Sequence, residues 1–202
     1  MGQPARVPAA VMTPGAGAVY DPRAVLPLGI PLGRQTDGRF AVRKGGRVFL
    51  LDALKEELWV DAHGGFDADT LAGRREDPTA PAAVYTLADA GLLHPLTAEA
   101  AADWPRLRPL RPLPRAIPLG YDRGTGRFVL AIPDTGGQLQ LDPVAYCLWT
   151  EWDGLATLGS AVGSVTQAVG LSPSRVRERA VQLACLGVFT AACYLDAADD
   201  KE

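Results

Sequence analysis

Covalent chemistry needs nucleophiles, bases or metal ligands held at matching spacings, and this chain has few to offer. Its two histidines, His63 and His94, both stand beside turns. There is no glycine-rich phosphate loop, no spacing of metal ligands and no Gly-x-Ser-x-Gly elbow. Asp61 with His63, and Asp153 before Gly154, read as polar groups at helix ends, not as acid–base pairs. Cys147, Cys185 and Cys193 are too few and too irregularly placed to frame disulfides. Cys147 and Cys185 fall within helical patterns, where a thiol packs as a small apolar group. Trp59, Trp104, Trp149 and Trp152 offer a stacking platform in principle. Yet Trp59 and Trp149 follow Leu58 and Leu148 at helical spacing and read as core anchors. No catalysis, cofactor or metal is expected.

What remains is recognition without covalent chemistry. Gln138-Leu139-Gln140-Leu141 alternates polar and apolar residues, which describes a half-exposed strand. At a sheet edge such a strand leaves backbone donors and acceptors unpaired, and a guest strand can satisfy them. Replacing Leu139 or Leu141 with proline is expected to abolish that pairing. A helix beginning at Ser172-Pro173 turns Val176, Ala180, Leu183 and Gly187 inward. Arg175, Arg179 and Gln182 then share another face, where arginines pair with acidic side chains or, with Glu178 among them, form a solvated face.

The elements that hold these residues come in two copies. Ile117-Pro118-Leu119-Gly120 falls on Ile30 to Gly33, Gly126-Arg127-Phe128 on Gly38 to Phe40, Leu141-Asp142 on Leu51-Asp52, Leu148-Trp149 on Leu58-Trp59, and Gly154 on Gly64. The offset of about 90 residues exceeds a solenoid repeat and indicates a duplicated small domain. Residues 1–24 read as a disordered or extended arm. Residues 25–97 form a degenerate first domain, with a strand over Val25 to Leu32. Residues 98–115 form a linker with Thr97 capping a short helical lead, and Trp104 to Arg115 as an extended Pro/Arg-rich strut. The strut's Arg106, Arg108, Arg111 and Arg115 make a solvated connector or a contact for an anionic partner. Residues 116–196 form the second domain, and 197–202 an acidic tail. Asp52 and Asp142 are placed as helix caps, the latter followed by proline. Val188 to Leu195 closes the domain as a strand or a helical tail. The fold class is α+β: two tandem domains, each a small antiparallel sheet followed by three helices.

The chain has 202 residues, 48% hydrophobic and 21% charged, with a formal net charge of −3. That composition supports a real core, and the acidic balance argues against a duplex-DNA partner, whose phosphates demand basic surface. No run is long and apolar enough to span a bilayer, so a cytoplasmic location is expected. In the second copy, the strand Leu130 to Pro133, Leu141-Asp142 leading into a helix, Asp153-Gly154 after it, and a last helix ending Leu183 to Phe189 resemble the PqqD-like family. The first copy matches less well, with His63-Gly64 in place of Asp-Gly. The resemblance implies a winged-helix-like domain that recognises leader peptides of ribosomally made, modified peptides. It implies a precursor peptide, a modifying enzyme, or both as partners, with Gln138, Leu139, Gln140, Leu141, Arg175, Arg179 and Gln182 as the peptide site. An open edge would also permit a homodimer. The alternative is a winged-helix DNA-binding regulator using Arg175, Arg177 and Arg179, although no basic hairpin follows the last helix.

Overall fold

The computed structural model describes residues 23–97, 99–133 and 135–198. Most of the expected N-terminal arm, Asp134 of the second-copy turn, and residues 199–202 of the acidic tail lie outside that range. The first copy comprises β1 (Val25–Pro27), β2 (Ile30–Arg34), β3 (Phe40–Lys44), β4 (Arg47–Leu51), α1 (Ala53–Asp61), α2 (Ala68–Gly73), α3 (Ala80–Asp89) and β5 (Leu93–Pro95). After α4 (Ala100–Leu107) the order repeats: β6 (Leu110–Pro114), β7 (Ile117–Asp122), β8 (Arg127–Ala131), β9 (Gln138–Leu141), α5 (Pro143–Thr150), α6 (Leu158–Val169), α7 (Pro173–Phe189) and β10 (Cys193–Ala197). The protein is α+β, and each copy is a three-stranded antiparallel sheet followed by three helices. In each copy the first and last strands pair with one another, β1 with β5 and β6 with β10.

The duplication extends to irregularities that composition could not reveal. β2 slips register against β3 between Pro31 and Gly33, and β7 slips against β8 between Pro118 and Gly120. Asp52 and Asp142 each accept the backbone N–H three residues on, from Lys55 and Ala145, both at 2.9 Å. Such caps satisfy donors that the first helical turn leaves orphaned. Asp67 and Thr157 cap α2 and α6 in the same way. The last helices also end alike. Leu92 N–H reaches Leu87 O and Gly91 N–H reaches Ala88 O, while Ala192 N–H reaches Gly187 O and Ala191 N–H reaches Val188 O. The left-handed residue of this closure is Gly91 (φ 70°) in the first copy and Ala191 (φ 57°) in the second.

Three sequence expectations are corrected. Val25 to Leu32 is not one strand: the chain breaks at Leu28-Gly29, so β1 serves β5 while β2 serves β3. The segment 98–115 is not a linker strut. Trp104 and Pro105 lie inside α4, which is preceded by Glu99 and not by Thr97, while Leu110 to Pro114 form β6, in register with β10. Pro112 and Pro114 are tolerated because they alternate along the strand, so both bare nitrogens face away from β10. On that outer side the Pro112 carbonyl accepts the Gly154 N–H at 3.1 Å. The second copy therefore begins near Leu110. Nor is Ala24 part of a loose arm; it is fully buried in the core.

The second copy's core gathers Leu130, Leu139, Leu141, Leu148, Trp149, Leu158, Val162, Val176 and Leu183, and extends to Leu26, Leu28 and Leu107. Val42, Leu51, Leu58, Trp59, Leu71 and Leu87 form the first copy's own cluster. The copies are tied together at β10. Asp196 is buried and accepts the Gly45 N–H at 2.6 Å and Arg43 Nη2 at 3.1 Å, and Leu195 O accepts the Gly29 N–H at 2.7 Å. Gly187, one of the motif positions, has a packing reason. A Cβ there would stand 2.6 Å from Cys193 Sγ, so only hydrogen lets β10 lie this close to α7. Among the described residues, no helix is long and apolar enough to cross a membrane.

Candidate functional site

β9 is an edge strand: β8 pairs with one side of it and no described strand with the other. Which residues point outward follows from the ladder. Ile132 N–H donates to Gly137 O at 2.9 Å, and the register continues as Ala131↔Gln138, Leu130↔Leu139, Val129↔Gln140 and Phe128↔Leu141. Hydrogen-bonded and open pairs alternate in an antiparallel ladder. Leu139 and Leu141 therefore spend their backbone groups on β8, while Gln138 and Gln140 turn theirs outward. The side chains of Leu139 and Leu141 are buried, at 0% and 2% exposure, beneath the sheet. This corrects the expectation that either leucine meets a guest directly. Proline at those positions would break the β8–β9 ladder itself, and the open donors belong to Gln138 and Gln140.

α7 is tied to this strand. Arg179 forms an ion pair with Asp142, the residue that follows β9 and caps α5. At the other end of α7, Phe189 and Thr190 share a cavity with Gly137 and Gln138. Between these two ties the helix presents a stripe at spacings of four, three, four and three: Arg175, Arg179, Gln182, Leu186 and Phe189. Arg175 is exposed and the other four half-buried, whereas Val176, Ala180, Leu183 and Gly187 are buried. The structure thus ties α7 to both ends of β9, through Arg179 and Asp142 at one end and through the cavity shared by Phe189 and Gln138 at the other. Arg179 is partly committed: besides Asp142 it donates to Gln182 Oε1 at 2.9 Å, and Gln182 Nε2 donates to Glu178 Oε1 at 3.4 Å. Burial, and then the neighbouring Arg127, lower the Arg179 pKa from its ordinary value. One end of this edge is therefore basic and the other apolar.

Leu186 and Phe189 were missed in the sequence reading. The signal was present, because the heptad step that links Arg175, Arg179 and Gln182 continues through both. Phe189 read only as part of the closing segment, and Leu186 was assigned no role, while the position of the sheet edge was unknown. Among the described residues the first copy does not repeat these ties. α3 has ten residues where α7 has 17, and Asp52 pairs locally with Lys55 instead of reaching the last helix. The β4 edge instead exposes Val48 and Leu50. After α7 comes a strand that pairs with β6, in the position where a DNA-reading wing would be sought.

These features define a tandem α+β protein of two small sheet-and-helix copies, in which the β9 edge is tied at both ends to the last helix. No protein-family model matches the chain, and no curated protein matches it. Among solved structures, that of PKMT2 from Rickettsia typhi is similar over 85% of this chain, with 10% identity and a TM-score of 0.33. This chain spans 42% of the length of that one, and the likeness is too slight to carry an argument about fold or function.

Proposed function

We propose that the chain is a non-catalytic peptide-binding adaptor of a ribosomal peptide natural-product pathway, working in the cytoplasm. It binds a precursor leader peptide by strand addition to β9 and hands it to, or holds it beside, a modifying enzyme. One observation supports the reading: among the described residues the outward backbone groups of Gln138 and Gln140 have no partner, and α7 is tied to both ends of this strand, by Arg179 to Asp142 and by Phe189 at the cavity of Gln138. A guest strand there gains main-chain hydrogen bonds from β9, and its side chains are read by the helix. Basic residues at one end favour an acidic stretch of the guest. The first copy, without these ties, serves as a docking copy for the enzyme. A pull-down from the native host with the tagged full chain, beside a nuclease-treated control, tests this. A short precursor peptide recovered in both arms is the expected result. Recovery of DNA, with protein partners lost on nuclease treatment, would overturn it.

A further inference from the structure

A cavity of about 640 Å3 lies where the two copies meet, and the strand-addition reading touches only its Gln138 and Phe189 edge. That volume falls within the ordinary range for small-ligand sites, about 300–1,000 Å3. Its walls come from both copies: Trp59, His63 and Phe66 from the first, and Gln138, Phe189 and Tyr194 from the second. Two of the second-copy residues also belong to the strand-addition site. Gln138 is the first residue of the open edge, and Phe189 ends the α7 stripe. The cavity therefore meets the β9 edge at Gln138 and the α7 stripe at Phe189.

The polar chemistry inside is specific. His63 Nδ1 faces the carbonyls of Trp59 at 3.2 Å and Val60 at 3.3 Å, which accept only, so Nδ1 carries the proton. Burial pulls the His63 pKa down to about 4, which leaves the ring neutral at physiological pH. Nε2 is then a bare acceptor, and among the described residues it has no hydrogen-bond partner. Trp59 meets the ring edge-on at 4.8 Å and Tyr194 at 6.3 Å. Asp61, the carboxylate in the lining, is engaged by Arg74 and Arg75, while the Arg74 guanidinium lies 4.3 Å from the centre of the Phe66 ring and that of Arg115 lies 5.1 Å from the Tyr194 ring, so cationic guests are disfavoured. An aromatic surround with one unsatisfied acceptor suits a neutral ring that bears a donor.

We propose that the cavity receives an indole or phenol side chain, a Trp or Tyr of the same peptide that adds to β9, with its N–H or O–H donated to His63 Nε2. The inference rests on the strand-addition reading for the source of that side chain, but not for the pocket. The four residues of β9 span about 10 Å at about 3.3 Å per residue. The aromatic residue therefore lies at least about three positions from the basic-end contacts of the guest.

Two experiments separate the pocket from the strand. The full chain is titrated with indole and with 1-methylindole, followed by amide chemical shifts. Saturable indole binding is expected, about fivefold to tenfold weaker for 1-methylindole because the donor is gone. It should be lost in Val60→Trp, which fills the cavity rim from a position 49% exposed and so spares the core. No saturable indole binding, or equal binding in Val60→Trp, overturns the pocket. A random-peptide display selection then tests the source. Wild type should enrich a strand segment with a Trp or Tyr at one fixed offset, and Val60→Trp should keep the segment but lose the aromatic residue. Aromatic enrichment that survives Val60→Trp, or is absent from the wild type, overturns the proposal. Failure to enrich any strand segment, with indole binding intact, sinks strand addition and the peptide source while leaving the pocket.

Discussion

Gln140→Pro is the substitution that isolates the guest-facing edge of β9. Gln140 sits opposite Val129 in an open pair, so its N–H points away from β8. Proline removes that donor and no bond of the sheet, and edge positions of this kind tolerate it. A guest strand can make at most four backbone bonds to Gln138 and Gln140, two from N–H groups and two from carbonyls. Losing one costs about 0.5–1.5 kcal/mol net. The pyrrolidine ring also stands where the guest backbone would lie, which weakens its neighbours. The expected loss is at least about tenfold in Kd, or about 1.4 kcal/mol. The assay is fluorescence anisotropy with the peptide recovered from the host, with thermal melting to verify that the variant is folded. Gln140→Val keeps the donor and should bind within about twofold of wild type, since only the outward side chain changes. Leu141→Pro should instead unfold the second copy, because its N–H belongs to the β8 ladder. A folded Gln140→Pro that binds the peptide as tightly as wild type refutes strand addition at β9.

Other expectations test the frame around this edge. Ala191→Gly should stabilise the protein by about 0.5–1 kcal/mol. Relief of the left-handed strain at φ 57° returns about 1–2 kcal/mol, and the freer unfolded chain takes back about 0.4–1. Urea denaturation reads the difference, and a lower midpoint would contradict it. Gly187→Ala should cost about 1–3 kcal/mol by overpacking against the fully buried Cys193. Adding Cys193→Ala should recover much of that loss, and strict additivity of the two changes would show that the contact is not the cause. His63 gives the protein a pH dependence. Its folded pKa of about 4 lies below the ordinary 6.5, so the unfolded chain takes up a proton first as pH falls. The neutral-His63 contribution is fully present above about pH 6.5 and is lost through the window down to about 4. The full gap corresponds to about 3 kcal/mol, which partial exposure of the ring to the cavity reduces to about 1–2. Between pH 7 and pH 4 the denaturation midpoint of wild type should fall by more than that of His63→Phe. Parallel profiles would remove His63 from the account.

Local chemistry made the elements of this protein readable in its sequence. Asp52 and Asp142 cap helices because a carboxylate at that position answers the orphan N–H three residues on, a relation contained in a few consecutive residues. Gly170 stops α6 with φ 66° for the same local reason. The inward stripe of Leu158, Val162 and Val165 follows from helical periodicity alone, and all three are buried. The duplication, too, was legible as ordered motif pairs. Long-range partners were not. Leu110 to Pro114 carries two prolines in five residues and reads as a strut until β10, some 80 positions later, supplies a neighbour that needs only the alternate N–H groups. Leu139 and Leu141 look like recognition residues until the register with β8 shows that their backbone groups are already spent. Leu186 and Phe189 have no visible recognition role until α7 is tied to the ends of an open edge. His63 looks like a helix-end residue until the second copy brings Phe189 and Tyr194 against it. Sequence alone determined the elements and their repetition, because caps, turns and periodic faces depend on neighbours within a few residues. Tertiary structure alone decided which edge stays open and what meets across the two copies, because those depend on pairings between residues far apart in the chain.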